Sequence, residues 1–129
     1  MGQCMTELGQ LIVVVEDDDG LRRALQRVLV AGGYRARAFD SAEAMLAGGG
    51  AAGADCLLLD IHLPGSLGLA LYEGLGADRP PAVFMTANAD GGVREAALRV
   101  GAIAILSKPF LGSVLLDAMA RATASTPRR

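Results

Sequence analysis

No stretch of this chain reaches the roughly 18 uninterrupted apolar residues that a membrane span requires. Residues 1–10 lack a basic segment followed by an apolar core, so no signal peptide is expected. An excess of one charge is missing as well. Twelve Lys and Arg stand against 14 Asp and Glu, a net charge of −2, which leaves no electrostatic footprint for nucleic acid. Arg22, Arg23, Arg27, Arg35 and Arg37 recur, but they interleave with apolar positions and are expected to be solvated faces. Cysteine is scarce. Cys56 lies within an apolar run and Cys4 in an expected loose end, so a disulfide framework is excluded and a reducing, cytoplasmic setting is expected. There is a single histidine, His62, and no internal repeat. What remains is 129 residues, 52% of them hydrophobic, which is the length of one domain with enough apolar material for a true core.

Apolar runs alternate with helical patterns. Leu11–Val15 reads as a strand buried on both faces, because β-branched residues follow one another without alternation. Asp18 or Asp19 can cap a helix over 20–31, with Leu21, Leu25, Val28 and Leu29 on one face and Gly32-Gly33 ending it. Residues 34–39 alternate apolar positions with Arg35 and Arg37, as an edge strand with one wet side does. A short helix over 42–46 follows Asp40-Ser41, and the glycines of 48–53 predict a flexible surface loop. Further strands are expected at 54–59, 82–85 and 103–106, and further helices at 67–75, 92–100 and 111–123. Five strands alternating with five helices predict an α/β fold, a three-layer (βα)5 sandwich around a parallel five-stranded sheet. The expected organisation is an N-terminal extension over 1–10, one domain over 11–123 and a flexible tail or linker stub over 124–129.

Polar residues sit directly behind the strands: Glu16-Asp17-Asp18 after the first, Asp60 after the third, Thr86 after the fourth and Lys108-Pro109 after the fifth. In an open parallel sheet the carboxyl ends of the strands share one edge, where ligands bind. Carboxylates, a hydroxyl and an ammonium should therefore meet. Asp60 is the first residue of its strand free to reach solvent, and a carboxylate there can attack phosphorus to form an acyl phosphate. Carboxylates repel an anionic phosphate, so a cation must mediate. Glu16 and Asp17 supply hard oxygens, and Mg²⁺ fits because it accepts one or two carboxylates and keeps waters. Thr86 can donate a hydrogen bond to a phosphoryl oxygen, and Lys108 offers a point charge to another. No one of these features is specific alone; all four in this order are.

The segments Val-Val-Glu-Asp-Asp, Leu-Leu-Leu-Asp-Ile-His-Leu-Pro-Gly, Phe-Met-Thr-Ala and Gly-Ala-Ile-Ala-Ile-Leu-Ser-Lys-Pro-Phe resemble those of a response-regulator receiver domain, over residues 11 to about 122. The resemblance implies a flavodoxin-like sheet in the order 2-1-3-4-5 and Asp60 as phosphoacceptor. It implies Mg²⁺ held by Asp17 and Asp60, assisted by Glu16 and by the His62 backbone carbonyl, with Thr86 and Lys108 contacting the phosphoryl group. Pro64 and Gly68 also match the family. The implied activity is that of a phosphorelay switch, which catalyses its own phosphorylation and dephosphorylation without being an enzyme on an external substrate. Implied partners are a sensor histidine kinase or a histidine phosphotransfer protein, and a downstream protein on the face of the fourth helix, fifth strand and fifth helix. That face is expected to hold Val93, Ala96, Ala97, Arg99 and Ile105. A phosphorylation-dependent homodimer is a further expectation, and direct contact with nucleic acid or membrane is not.

Two departures stand out. The position three before the lysine, usually aromatic in the family, is Ile105, which has no ring to swing in switching. The interval from Asp60 to Thr86 is short, which predicts a trimmed third helix or 76–81 loop. His62 and Asn88, each two residues past a site residue, are candidates for ordering the water that would hydrolyse the product. The stretch 123–129 is too short for an output domain, so the expectation is either a stand-alone receiver or the N-terminal part of a longer, transcriptional regulator. The alternative reading is a degenerate receiver that works as a constitutive interaction module, and Ile105 is its only support.

Overall fold

The computed structural model describes residues 9–63 and 65–124. Cys4, Pro64, most of the expected extension and most of the expected tail lie outside the described residues. The sheet comprises β1 (Leu11–Val15), β2 (Arg35–Phe39), β3 (Cys56–Asp60), β6 (Ala82–Thr86) and β7 (Ala104–Ser107), all parallel in the order β2-β1-β3-β6-β7. This is the expected 2-1-3-4-5 arrangement, since β4 (His62–Leu63) and β5 (Ser66–Leu67) form a separate small hairpin. The helices are α1 (Asp19–Ala31), α2 (Ala42–Ala47), α3 (Gly68–Gly74), α4 (Gly91–Arg99) and α5 (Gly112–Ala124).

The continuous apolar runs are explained by burial on both sides of the sheet. Ile12, Val14, Cys56, Leu58, Val83 and Met85 face one way, where Leu25 and Leu29 of α1 and Leu115, Ala118, Met119 and Ala122 of α5 cover them. Their neighbours Val13, Val15, Leu57, Leu59, Ala82 and Phe84 face the other, under Ala42 and Met45 of α2, Leu71 and Tyr72 of α3 and Ala97 of α4. The period of two along each strand thus sorts one apolar run into two cores. α1 and α5 pack closely: a Cβ at Gly112 would lie 3.4 Å from Val28, and one at Gly32 would lie 2.6 Å from Leu116. These contacts advance together, so α5 runs in the same sense as α1. At the opposite edge of the sheet the chain is tied in by Asp55, whose carboxylate accepts from the Leu11 N–H at 2.8 Å, and by Arg35, whose Nε donates to the Gly9 carbonyl at 2.7 Å.

Helix starts follow side-chain chemistry. Asp18, Ser41 and Asp90 cap α1, α2 and α4 by accepting from the N–H groups of Leu21, Ala44 and Val93. The facing of α4 corrects one expectation. Its inner stripe is Val93, Ala96, Ala97 and Val100, and Ala97 is fully buried in the second core rather than presented outward. Arg94, Glu95, Leu98 and Arg99 form its exposed side. Two further expectations change. The 48–53 loop is knit by turns, with Gly50 N–H donating to Met45 and Ala52 N–H to Gly49, and Arg37 donates to the Ala52 carbonyl, so Arg37 is not simply solvated. Between β3 and α3 the chain forms a two-residue hairpin, β4 (His62–Leu63) with β5 (Ser66–Leu67), so Leu67 precedes the helix instead of starting it.

The third helix has seven residues, and the loop after it is clasped. Tyr72 donates its hydroxyl to the Pro80 carbonyl at 2.7 Å and meets the Phe84 ring edge-on at 5.7 Å. The Arg79 guanidinium lies 4.5 Å over the Tyr72 ring and donates to the Gly76 carbonyl and, at the end of α4, to the Val100 carbonyl. Among the described residues no helix is long and apolar enough to cross a membrane.

Candidate functional site

The carboxyl ends of β1, β3, β6 and β7 meet at one edge, as parallel register requires. Glu16 follows β1 and is buried, with its backbone N–H donating to the Phe39 carbonyl. One carboxylate oxygen of Glu16 accepts from the Asp18 N–H at 3.0 Å, and the other accepts from Lys108 Nζ at 2.7 Å. Lys108 reaches equally to Asp60 Oδ2, at 2.7 Å, while Asp60 Oδ1 accepts from the His62 N–H at 2.9 Å. A single ammonium therefore bridges two buried carboxylates drawn from opposite parts of the sequence. Asp17 is exposed, and its carboxylate has no partner among the described residues. Each of Glu16, Asp17 and Asp60 offers an oxygen, and these lie within 4.8 Å of one another.

The electrostatics follow from this packing. Burial pushes the Glu16 carboxyl above its ordinary value. The Lys108 and Asp18 hydrogen bonds oppose that, and the nearby Asp60 charge adds to it. Burial alone would lower the Lys108 ammonium, but the hydrogen bonds and charges of Asp60 and Glu16 outweigh it and hold Lys108 above its ordinary value. Lys108 thus keeps its proton at neutral pH.

The remaining predicted residues stand at the same edge in different roles. Thr86 ends β6 and is fully buried; its hydroxyl does not join the carboxylate network but binds the Asn88 backbone, accepting from its N–H at 3.0 Å. The Lys108 N–H donates to the Thr86 carbonyl at 2.8 Å, which locks the two strand ends together. The His62 side chain is exposed on the hairpin, and its backbone is the part that touches Asp60. Ile105, half-buried, pairs with Phe84 across β6 and β7.

Two residues have roles that the sequence reading did not give them. A Cβ on Gly68 would lie 2.1 Å from the Asp60 carbonyl oxygen, so only glycine lets α3 start against the site. Arg22, expected to be solvated, instead donates Nη1 to the Glu16 carbonyl at 3.0 Å and Nη2 to Asp19. That hydrogen bond holds the Asp19 carboxyl below its usual range. The signal for Arg22 was its place one helical turn inside α1, on the side of the acidic turn.

Comparison with known proteins bears on the same segments. A family profile described as the response regulator receiver domain matches residues 12–120. Nodulation protein W of Bradyrhizobium diazoefficiens is 36% identical over 121 residues, covering 92% of this chain and 53% of that protein. Response regulator protein TmoT of Ectopseudomonas mendocina is 30% identical over 129 residues, covering 98% of this chain and 59% of that protein. The chain therefore spans a little over half the length of these relatives. Among solved structures, the non-phosphorylated HemR receiver domain of Leptospira biflexa superposes with a TM-score of 0.83 at 27% identity, covering 93% of this chain and 98% of that one. A match over most of the length, on a sheet of this order, makes the chain a member of the response regulator receiver domain family, the signalling switches of two-component systems.

Proposed function

We propose that this receiver takes a phosphoryl group onto Asp60 from a phosphohistidine of a sensor kinase or phosphotransfer protein, and that Mg²⁺ is required. The observation that carries the reading is the Lys108 ammonium at 2.7 Å from both Glu16 and Asp60, beside the unpartnered Asp17. The donor set fits a hard divalent cation: three carboxylates converge within 4.8 Å, and one of them is open to solvent. Glu16, Asp17 and Asp60, with the His62 backbone carbonyl, would hold the ion, which would supply the positive charge that lets an anionic phosphate approach anionic oxygens.

The chain's own residues account for the rest. An Asp60 carboxylate oxygen attacks phosphorus in line; the P–O bond forms as the P–N bond breaks, and its electron pair leaves with the imidazole nitrogen. Lys108 shifts part of its hydrogen bonding from Asp60 to a phosphoryl oxygen, and the Thr86 hydroxyl turns from Asn88 to another. Hydrolysis of the acyl phosphate then resets the site, with His62 and Asn88 placed to order the attacking water. The reading extends to output: the domain over 11–123 signals in the cytoplasm by changed contacts on the α4, β7 and α5 face, to a downstream protein or a second copy.

Incubation with acetyl phosphate, with and without Mg²⁺, tests this by intact mass. We expect one phosphoryl adduct that depends on Mg²⁺ and is lost in Asp60→Asn. An adduct that persists in Asp60→Asn, or none with a folded chain, would overturn the assignment.

A further inference from the structure

We propose that Arg22 is a positioning residue for the acidic corner, one that fixes the 16–19 turn so that Asp17 stays beside Glu16 and Asp60. The inference rests on the metal-binding reading above and adds a residue to it. The three carboxylates repel one another, yet Lys108 touches only Glu16 and Asp60. Nothing among the described residues binds the carboxylate of Asp17. Its direction is therefore set by the backbone that carries it.

The peptide joining Glu16 to Asp17 is the point of control. Arg22 Nη1 donates to its carbonyl at 3.0 Å, which fixes the plane of that peptide and with it the exit direction of the Asp17 side chain. The other arm of the guanidinium is occupied by Asp19, so the group is held as a fork rather than a free charge. The turn has other ties: the Glu16 N–H donates to the Phe39 carbonyl, the Asp18 N–H to the Glu16 carboxylate, the Leu21 N–H to the Asp18 carboxylate at 2.7 Å and the Arg22 N–H to the Asp18 carbonyl at 2.8 Å. None of them acts on the 16–17 peptide. The Arg22 side chain is only 18% exposed and its arm to the Glu16 carbonyl is part-buried, while the arm to Asp19 lies open to water. A lysine at this position would retain the charge and lose the two-armed geometry.

Mg²⁺ binding to the unphosphorylated full chain, followed by calorimetry, tests the proposal against Arg22→Lys and Arg22→Met, with melting temperatures taken without Mg²⁺. Both variants should bind Mg²⁺ about tenfold more weakly or worse, as loss of a group that orients a ligand does, while melting close to the unaltered chain. Arg22→Lys binding like the unaltered chain would overturn the proposal, since charge would then suffice. Affinity falling only in step with melting temperature would also overturn it, as a merely structural role predicts. If the unaltered chain binds Mg²⁺ but forms no adduct, the phosphoacceptor reading falls and the Arg22 assignment stands. If it binds no Mg²⁺, both fall.

Discussion

Gly68 sets a strict steric limit at the level of single residues. Its Cα faces the Asp60 carbonyl so closely that a methyl group would sit 2.1 Å from the oxygen, and its own N–H donates to the Ile61 carbonyl at 2.7 Å. Gly68→Ala must push α3 away from β3 and stretch that bond. We expect a loss of about 1–3 kcal/mol, as in other overpacked sites, together with slower adduct formation at Asp60. Gly74→Ala is the control: nothing lies within 4 Å of its added Cβ, so a helical alanine there should be neutral or stabilising by up to about 1 kcal/mol. Equal melting temperatures for the two variants would refute the steric account. Glu16, Asp17, Asp60, Thr86 and Lys108 were legible because each lies within two residues of the end of an apolar run, and parallel strands deliver such residues to one edge. Gly68 and Arg22 were harder to read. Their importance lies in contacts with backbone carbonyls, and a sequence gives no sign of which carbonyls are within reach.

Among the elements, α4 is secured at one end and lightly held along its length. Its exposed side carries Arg94, Glu95, Leu98 and Arg99, and only Ala97 of its residues is fully buried. At its C-terminal end Arg79, stacked on Tyr72, donates to the Val100 carbonyl at 3.1 Å. Arg79→Ala should therefore raise hydrogen exchange at the amides of Val100, Gly101 and Ala102 by about tenfold, the size of a lost charged hydrogen bond at a partly exposed site. Exchange in β1 and β3 should stay unchanged; a uniform rise across the chain would show that the clasp serves global stability instead. Four of the sheet strands were readable as apolar runs, and β2 by its alternation of Arg35 and Arg37 with apolar residues. The β4–β5 hairpin was not, since two residues per strand carry no period. The inward turn of Ala97 was missed because the expected output face was read without the 3.6-residue period, which groups Ala97 with Val93, Ala96 and Val100 on the side toward the sheet.

At the scale of the whole molecule, stability should fall as the solution becomes alkaline, for two reasons of the same sign. Burial pushes the Cys56 thiol from 9.0 up to about 12. Above its ordinary value the unfolded chain releases this proton and the folded chain keeps it, so unfolding becomes easier by up to about 1.4 kcal/mol per pH unit. Lys108, held above its ordinary value by Asp60 and Glu16, contributes stability that is present below 10.5 and is lost as pH rises through its folded value. Denaturant unfolding between pH 8 and 11.5 should show this decline, and Cys56→Ala should flatten the part between 9 and 10.5, where the thiol acts alone; an unchanged slope there in that variant would contradict the buried-thiol account. The parallel running of α1 and α5 has a different consequence. Both helices head away from the acidic edge, and the segment from Gly9 enters at that same far side, beside Arg35 and Asp55. The described chain thus comes in at Gly9 and goes out at Ala124 beneath the sheet, and neither crossing point obstructs the rim that carries Glu16, Asp60 and Lys108.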